Sequence, residues 1–364
     1  MYPVLGSNML VLGYERRHRF LAILGLLMLS SVMHSLWYLA SVLVDYPVQR
    51  LSLQQFGTPA WSTPQEAYNM TALDLRRDPS VLVDRSDFRY VLNSNSCQAA
   101  DDIFLVVFVH SAPTHFHKRR AVRETWGNAT FLRTVTGETM VLVFMVGHVN
   151  DSQTRDSIVQ ESALHGDIVM GNFFDSYRNL TYKHIMGLKW VTYFCRNARY
   201  VLKTDDDVFI DLFQMTAYLR EALGPMAPPN LMMCVLIRRP FVKRSQRSKW
   251  RVSFQEYRQY RYPPYCSGWG ILMSPDVVFN LYRVSSSIPY FWVDDVLVSG
   301  ILAKRIGLSH IDFGNHFAPS KMEAQEWLNS DEGEPPTLMG HPDLETDVVY
   351  RLWNKTKLYL QRAL

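Results

Sequence analysis

Residues 198–210 read ARYVLKTDDDVFI, an apolar strand that runs directly into three consecutive aspartates. Ligands of open α/β sheets bind at the carboxyl ends of the strands, so Asp205, Asp206 and Asp207 stand where a ligand is expected. In an extended segment the first and third carboxylates point the same way and can share a target. Three adjacent anions favour a hard divalent cation, Mn²⁺ or alternatively Mg²⁺, with phosphate oxygens completing its shell. The simpler interpretation is a solvated turn after a strand.

The segments around this strand predict an α/β fold with a largely parallel sheet. Continuous apolar runs predict further strands at 103–109, 140–147 and 167–171. Helices are predicted at 117–126, 151–165 and 180–195. Strands that alternate with helices are typical of this fold class. The simplest division places one folded domain at residues 98–364.

The N-terminal region predicts how the chain meets a membrane. Residues 20–44, FLAILGLLMLSSVMHSLWYLASVLV, contain no Asp, Glu, Lys or Arg. As a helix this segment is ~37 Å long, enough to cross a ~30 Å hydrocarbon layer, and it is too long for the apolar region of a cleaved signal peptide. Three arginines precede it, so the positive-inside rule assigns residues 1–19 to the cytoplasm and the rest to the far side. Residues 45–97, with four prolines and no sustained period, predict a stem.

Composition and cysteine usage narrow the function classes. The 364 residues carry 38 Lys and Arg against 34 Asp and Glu, a net charge of +4 that gives no argument for nucleic acid. In an oxidising lumen the four cysteines allow three disulfide pairings, which the sequence leaves open. The sequence has no Cys-x-x-Cys pair, so a thiolate zinc site is not expected. Asn-x-Ser/Thr sequons occur at Asn69, Asn128, Asn150, Asn179 and Asn354.

Five ordered motifs resemble one enzyme family, the β-1,3-glycosyltransferases that transfer galactose or N-acetylglucosamine, to which the Fringe-type enzymes are more distantly related. They are RRAVRETWG (119–127), FFDSYRNLTYKH (173–184), KTDDDVFID (203–211), RYPPYCSGWGILMS (261–274) and WVDDVLVSG (292–300). The resemblance covers roughly residues 102–312. It implies a GT-A fold with a Rossmann-like mixed sheet flanked by helices, a UDP-sugar donor, Mn²⁺ bound through the triplet, and inversion at the sugar carbon.

The resemblance also assigns roles to the carboxylates. Asp207 matches the family's direct metal ligand, while Asp205 and Asp206 match positions that contact the donor. Asp295 matches the general base, and Asp294, which replaces a glutamate of the family pattern, matches a supporting position. The simpler interpretation of Asp294 and Asp295 is a carboxylate pair at a helix N-terminus, where the helix dipole favours negative charge.

On the donor side the resemblance adds five residues with ordinary structural alternatives. Arg120 and Arg123 lie three apart on one helical face and could reach the uracil or the phosphates, or form surface ion pairs. Asp175, Asn179 and Lys183 could line the donor pocket. Alternatively, Asp175 caps a helix and Lys183 is solvated. A donor-pocket role makes Asn179 a doubtful glycosylation acceptor.

The stretch from residue 238 to 251 contains seven basic residues and no acid. A solvated loop is the default interpretation, and a lid over donor or acceptor is the alternative. Near it we place a candidate substrate loop of Trp250, Tyr265, Gly268, Trp269 and Asp294. The spacing of the histidines at 110, 115 and 117 predicts no metal site, only surface or hydrogen-bonded side chains.

These features together predict a single-pass type II Golgi membrane enzyme with a lumenal catalytic domain at residues 98–364. It would form a β-1,3 bond from a UDP-sugar, with galactose favoured, to a glycan hydroxyl of a glycoprotein or glycolipid. The alternative is a membrane-tethered carbohydrate-binding or chaperone protein that has lost turnover. A metal-dependent phosphohydrolase lacks the His and Asp clusters that a two-metal site needs.

Overall fold

A mixed sheet is the centre of the fold in the computed structural model, which describes residues 76–100, 102–318, 320–330 and 338–363. Its eight strands, counted over those ranges, are β1 (Tyr90–Leu92), β2 (Ile103–His110), β3 (Met140–His148), β4 (Ile168–Phe174), β5 (Ala198–Asp205), β6 (Met232–Ile237), β7 (Tyr265–Met273) and β8 (Ile311–Asp312). They lie in the order β1-β4-β3-β2-β5-β7-β6-β8.

The strands β4, β3, β2 and β5 are mutually parallel, whereas β1, β7 and β6 are joined by antiparallel pairings. The predicted α/β fold with a mixed sheet and flanking helices is confirmed. Each of the four predicted strands is present within a few residues, because continuous β-branched and aromatic runs suit strands that are covered on both faces.

Helices cover both faces of the sheet. They are α1 (Phe116–Glu124), α2 (Ala129–Thr136), α3 (Ser152–His165), α4 (Leu180–Phe194), α5 (Leu212–Tyr218), α6 (Pro275–Ser285), α7 (Lys321–Asn329) and α8 (Thr346–Ala363). A π-helical segment, Val296–Leu302, runs into a single α-helical turn, Ala303–Arg305. Along β2 the side chains alternate between two cores: Val106 and Phe108 face α4 and α6, whereas Val107 and Val109 face α1, α2 and α8.

The folded unit begins earlier than the sequence predicts. Leu82 and Phe88 are buried, and β1 pairs with β4, so residues assigned to the stem belong to the domain. The Nζ of Lys189 in α4 donates to the carbonyl of Val81 at 2.7 Å. The boundary at residue 98 was wrong because this segment has no periodic pattern: it is held by a few apolar contacts and by a lysine far along the chain.

The cysteines form the pairs Cys97–Cys195 and Cys234–Cys266. The first ties the start of the domain to the end of α4, and the second joins β6 to β7. The structure thus selects one of the three pairings that the sequence left open. Within the described ranges no helix is long and apolar enough to span a membrane. The predicted cytoplasmic tail and membrane span, and the stem up to residue 75, lie outside the described residues.

Candidate active site

The aspartate triplet lies at the edge of the sheet where the neighbouring strands β2 and β5 end. His110 and Asp205 form the last pair of their ladder, and the backbone N–H of Asp206 donates to the carbonyl of His110 at 3.1 Å. The triplet is therefore beside the loop that follows β2. As predicted, it directly follows a buried strand.

A buried lysine neutralises the first carboxylate of the triplet. The Nζ of Lys203 lies 2.6 Å from Oδ1 of Asp205 and also donates to the carbonyl of Gly268. Burial raises the pKa of Asp205 to about 6; the lysine opposes this shift, and the charges of Asp207 and Asp294 add to it. Lys203 and Asp205 are two residues apart on one strand, so their side chains share a face.

The other two carboxylates contact α1 and the turn before it. Oδ2 of Asp206 is 2.8 Å from Nδ1 of His115, and Nζ of Lys118 is 3.3 Å from Oδ2 of Asp207. Burial alone would raise the pKa of Asp206, but the hydrogen bond and charge of His115 outweigh it and lower that pKa. Burial would lower the pKa of Lys118, but the charges of Asp206 and Asp207 raise it.

These residues suit a cation that keeps most of its shell for other ligands. No group of three or more His, Cys, Asp or Glu side chains within the described ranges is arranged to hold a metal. Mg²⁺-like ions, however, are usually bound by one or two carboxylates together with substrate phosphates. The side chain of Asp207 is 18% exposed, and its carboxylate faces Lys118. A carboxylate that is accessible beside a displaceable ammonium fits such an ion.

A second pair of carboxylates precedes the π-helical segment. Asp295 accepts a hydrogen bond from the backbone N–H of Val296 at 2.8 Å, and Oδ2 of Asp294 lies 3.1 Å from Nδ1 of the buried His184. Burial and the neighbouring charge of Asp294 raise the pKa of Asp295 to about 7. For Asp294, burial is outweighed by His184 and Lys203, which lower its pKa.

A cavity of about 390 Å³ opens onto this pair. Most of its wall is aromatic or aliphatic, and its polar lining includes both carboxylates, Ser267 and Lys243. Apolar walls with a few convergent polar groups are typical of small-molecule sites. The residues that line it are Tyr177, Leu180, Ile237, Pro240, Phe241, Lys243, Trp250, Tyr262, Tyr265, Ser267, Trp292, Val293, Asp294 and Asp295.

A known protein family matches the part of the chain that contains both the aspartate triplet and the second carboxylate pair. The family described as galactosyltransferase matches residues 117–314, more than half of the chain. The chain belongs to the galactosyltransferase family. The matched range includes the triplet, the second carboxylate pair and all residues that line the cavity.

Curated members of the galactosyltransferase family are similar over most of their length. Beta-1,3-galactosyltransferase 5 of Pan paniscus is 36% identical over 241 residues, which cover 66% of this chain and 77% of that protein. Beta-1,3-galactosyltransferase 1 of Mus musculus is 31% identical over 284 residues, or 75% of this chain and 79% of the relative. The chain is thus a glycosyltransferase-family protein.

Among solved structures, similarity is low. The WbbM bifunctional glycosyltransferase has a TM-score of 0.37 at 14% identity, with 72% of this chain and 52% of that chain covered. Mouse xyloside xylosyltransferase 1 has a TM-score of 0.31 at 10% identity, with 66% and 98% covered.

The two arginines predicted for the donor side both form ion pairs with neighbouring carboxylates. Arg120 is an exposed residue whose Nε lies 2.7 Å from Glu124, one helical turn away. Arg123 donates to Asp167 and Glu161, both at 2.7 Å, in a half-buried ion-pair network. Arg123 is thus held by carboxylates of α3 and of the residue before β4, whereas Arg120 pairs within α1. Contact of either arginine with a donor stays a prediction.

Asp175 and Lys183 form a buried ion pair of 2.8 Å. Asp175 also accepts from the backbone N–H of Gly147 at 2.6 Å, and Lys183 donates to the carbonyl of Ser111 at 2.7 Å. The pair connects the ends of β2, β3 and β4 and so positions the loop that carries His115. The amide of Asn179 donates to the carbonyl of Phe174, which makes it a local structural residue in this arrangement.

The candidate substrate loop divides between the cavity and the core. Trp250, Tyr265 and Asp294 line the cavity. Gly268 lies against Asp295, so that a Cβ added there would be 3.4 Å from the Cβ of Asp295. Trp269 instead packs against Phe317, with ring centroids 4.8 Å apart, and does not line the cavity.

The predicted sequons differ in their surroundings. Asn150 and Asn354 are exposed, whereas the side chain of Asn128 caps α2 by accepting from Phe131 N at 2.9 Å. The hydroxyl of Thr181, in the sequon of Asn179, is buried and donates to Phe291. Asn69 lies outside the described residues.

Sequence reasoning missed several residues that shape the site, namely His115, Lys118, Arg119, His184 and Lys203. Arg119 is fully buried; it donates to Glu161 at 2.6 Å and to the carbonyl of Ala112 at 2.7 Å, which fixes the loop after β2. Only Lys203 left a local signal, its two-residue spacing from Asp205. His115 is a hydrogen-bonded side chain, as predicted, but its partner in the triplet was not foreseen.

Proposed function

We propose that this protein is an inverting transferase that moves galactose from UDP-galactose to a glycan hydroxyl and forms a β-1,3 bond. The observation that carries the proposal is the shared lysine. Lys203 contacts Asp205 in the triplet and the carbonyl of Gly268, and Gly268 lies against Asp295. The buried ammonium of Lys203 therefore connects the aspartate triplet, whose carboxylates suit a metal ion and phosphates, with Asp295, a carboxylate of raised pKa in an apolar cavity.

Asp295 is suited to act as the general base of a single displacement. Its carboxylate takes the proton of the acceptor hydroxyl while that oxygen bonds to the anomeric carbon. The bond from that carbon to the UDP oxygen breaks, and the diphosphate leaves with the electron pair. A base with a pKa of about 7 matches a neutral working pH. Attack from the face opposite UDP inverts the carbon.

The triplet is suited to the nucleotide end of the donor. Asp207 would hold Mn²⁺, with Mg²⁺ as the alternative, and Asp205 and Asp206 would contact the donor. When bound, the ion neutralises charge on the diphosphate as a Lewis acid. Lys118, 3.3 Å from Asp207, would supply a positive charge to a phosphate oxygen beside the triplet. His115 then keeps Asp206 oriented.

The names of the relatives support the choice of galactose and of the β-1,3 linkage. The same proposal includes a single-pass type II topology in the Golgi membrane with residues 20–44 as the span, and a glycoprotein or glycolipid as acceptor. A binding or chaperone protein without turnover is not favoured, because the cavity retains a carboxylate with the pKa of a base.

The test is a donor panel crossed with a glycan acceptor array, using the purified full-length chain. UDP-galactose, UDP-N-acetylglucosamine and UDP-N-acetylgalactosamine are each supplied with Mn²⁺, and UDP release is measured. We expect acceptor-dependent release with UDP-galactose and a product cleaved by a β-1,3-specific galactosidase. The D295N variant is the matched control. UDP release that is the same with and without acceptor would contradict the proposal. So would UDP release by D295N that equals the release by the wild-type chain.

The topology has its own test in sealed microsomes. Added protease should spare everything beyond Asp45, and the exposed Asn150 and Asn354 should carry endoglycosidase-sensitive glycan. Digestion of the C-terminal domain without detergent would overturn this orientation.

A further inference from the structure

The loop between β6 and β7 concentrates positive charge at the cavity. Residues 238–261, here called the basic loop, contain nine Lys and Arg and a single acid, Glu256. Their net charge is +8, whereas the whole chain has +4, so the remainder of the chain is net negative. The Cys234–Cys266 disulfide lies at the base of this loop. The charge is therefore placed at one specific position on the domain.

Part of this charge holds the loop itself together. Arg244 donates to the carbonyls of Val252, Tyr257 and Gln259 at 2.7–2.8 Å. Arg238 pairs with Asp312 at 3.0 Å. These side chains explain how a stretch with so few apolar residues keeps a shape, and they leave other cations of the loop for a different role.

One lysine of the basic loop lines the cavity, and a second contacts a lining residue. Lys243 is among the residues that line it, next to Phe241 on the same loop. Lys249 lies over the ring of Trp250, with Nζ 4.5 Å from the centroid, and Trp250 is also a lining residue. Lys243 is an exposed side chain, and within the described ranges no carboxylate forms an ion pair with it. Its charge is therefore available to a ligand.

The aromatic residues of the cavity wall can contact the sugar ring of an acceptor. Tyr177, Trp250, Tyr265 and Trp292 line the cavity, and amphipathic rings of this kind suit the apolar face of a sugar. Asp294 and Asp295 repel an anion, so an acidic group cannot sit on the reacting sugar beside them. It can be accommodated on an adjacent part of the acceptor, toward the lysines.

We propose that the acceptor of this enzyme is an acidic glycan, whose carboxylate or sulfate group is bound by Lys243 while the neighbouring neutral sugar presents its hydroxyl to Asp295. This inference rests on the proposed function and names the class of its acceptor. Charge-assisted contacts from an ammonium to a carboxylate or sulfate are the stronger hydrogen bonds of proteins.

The experiment uses three acceptors with the same terminal sugar: a neutral glycan, its sulfated form and its sialylated or uronic form. Binding to the full-length chain is measured without donor, and kcat/KM with it. We expect the preferred acidic glycan to bind about 2- to 5-fold more tightly than the neutral one, as one ion pair with an exposed lysine predicts. Comparison of the sulfated glycan with the sialylated or uronic glycan shows whether the site prefers a sulfate or a carboxylate.

The matched variants are K243Q and R247Q. Each removes one charge from the same loop, but Arg247 is exposed and does not line the cavity. K243Q should abolish the preference for the acidic glycan over the neutral one, whereas R247Q should retain that preference. Equal binding of all three glycans, or an equal loss in both variants, would overturn the inference. If the neutral glycan is turned over and no acidic glycan is preferred, the inference about the acceptor fails and the proposed function stands. If an acidic glycan binds preferentially but no UDP is released, only the proposed function is contradicted.

Discussion

Nδ1 of His184 lies 3.1 Å from Oδ2 of Asp294, and the imidazole is completely buried. Burial lowers the pKa of His184, so the neutral ring donates its Nδ1–H to the carboxylate. Among the residues that the structure describes, the adjacent Asp295 accepts a hydrogen bond only from the backbone N–H of Val296. Two consecutive aspartates thereby acquire different roles: Asp294 stays ionised, and its charge makes Asp295 the more basic of the two.

Replacement of the proposed base, Asp295, tests this difference most directly. D295N keeps the size of the side chain but removes its proton acceptor, so turnover should fall by about 10²- to 10⁴-fold, the usual contribution of general base catalysis. Affinity for UDP and Mn²⁺ should hardly change, as measured by calorimetry. D294N is the control and should lose much less. A larger loss in D294N than in D295N would mean that the two roles are exchanged.

The pH dependence of kcat/KM provides a second test. Burial and the charge of Asp294 raise the pKa of Asp295 to about 7. A general base works deprotonated, so kcat/KM should rise with pH through a midpoint near that value. D294N removes the neighbouring negative charge, which lowers the pKa of Asp295, and the midpoint should move to lower pH. Other charged or titratable groups around it are unchanged in this variant: Tyr177, His184, Lys203, Asp205, Lys243, Tyr262 and Tyr265.

A midpoint that stays in place in D294N would show that Asp294 does not set the basicity of Asp295. A profile that falls as pH rises through 7 would show instead that the titrating group acts as an acid.

Much of the fold could be predicted because its signals are local. The run at 103–109 is apolar at every position, and the triplet follows a strand directly. The helical spacing of Arg120 and Arg123 also placed both on one face, but it could not identify their partners. Glu161 lies 38 residues beyond Arg123, and only the packing of α3 beside α1 brings the two together.

The same limit applies to the site. His184 and Asp294 are 110 residues apart, and His115 and Asp206 are 91 apart. Neither pair has a spacing that the sequence could reveal, because each forms only when segments far apart along the chain pack together. The basic loop left two interpretations open for a related reason. Charge density predicts exposure, but only the structure shows that Lys243 lines a cavity.

Asp207 should be required for the divalent ion. D207N retains the hydrogen-bonding shape but removes the charge, so Mn²⁺ binding in the presence of UDP should be lost and transfer abolished, with the circular dichroism spectrum unchanged. The measurement is calorimetric titration of Mn²⁺ into the UDP-loaded chain, with the exposed D156N as a control. Full activity of the wild-type chain in EDTA would contradict this role.

The two disulfides should contribute unequally to stability. Cys97–Cys195 closes a separation of 98 residues and Cys234–Cys266 one of 32. Loss of a native disulfide typically lowers the free energy of unfolding by about 2–5 kcal/mol, and the chain-entropy relation makes the longer loop costlier by about 1 kcal/mol. Urea unfolding of the paired Cys→Ala variants measures both. A greater loss for the shorter loop would show that contacts around the basic loop dominate.

Two glycines of β7 should respond to alanine in different ways. A Cβ at Gly270 would lie 2.4 Å from Cε1 of Phe317 and 2.8 Å from Cε of Met339, which is a steric clash in a packed core. Overpacking of this kind typically costs about 1–3 kcal/mol, so G270A should lower the midpoint of urea unfolding. A Cβ at Gly268 would lie 3.4 Å from Cβ and 3.7 Å from Oδ2 of Asp295, which are ordinary contact distances.

G268A should therefore unfold like the wild type, within about 0.5 kcal/mol. Its methyl group displaces solvent from the carboxylate of Asp295, and desolvation disfavours the charged form. The pKa of the base then rises, and the midpoint of the kcat/KM profile should move to higher pH, opposite to the shift in D294N. G270A should change stability and leave that midpoint in place. The two variants therefore distinguish an effect on core packing from an effect on the pKa of Asp295. An unshifted midpoint in G268A would show that the methyl group does not change the solvation of Asp295. A shifted midpoint in G270A would show that the effect is not specific to position 268.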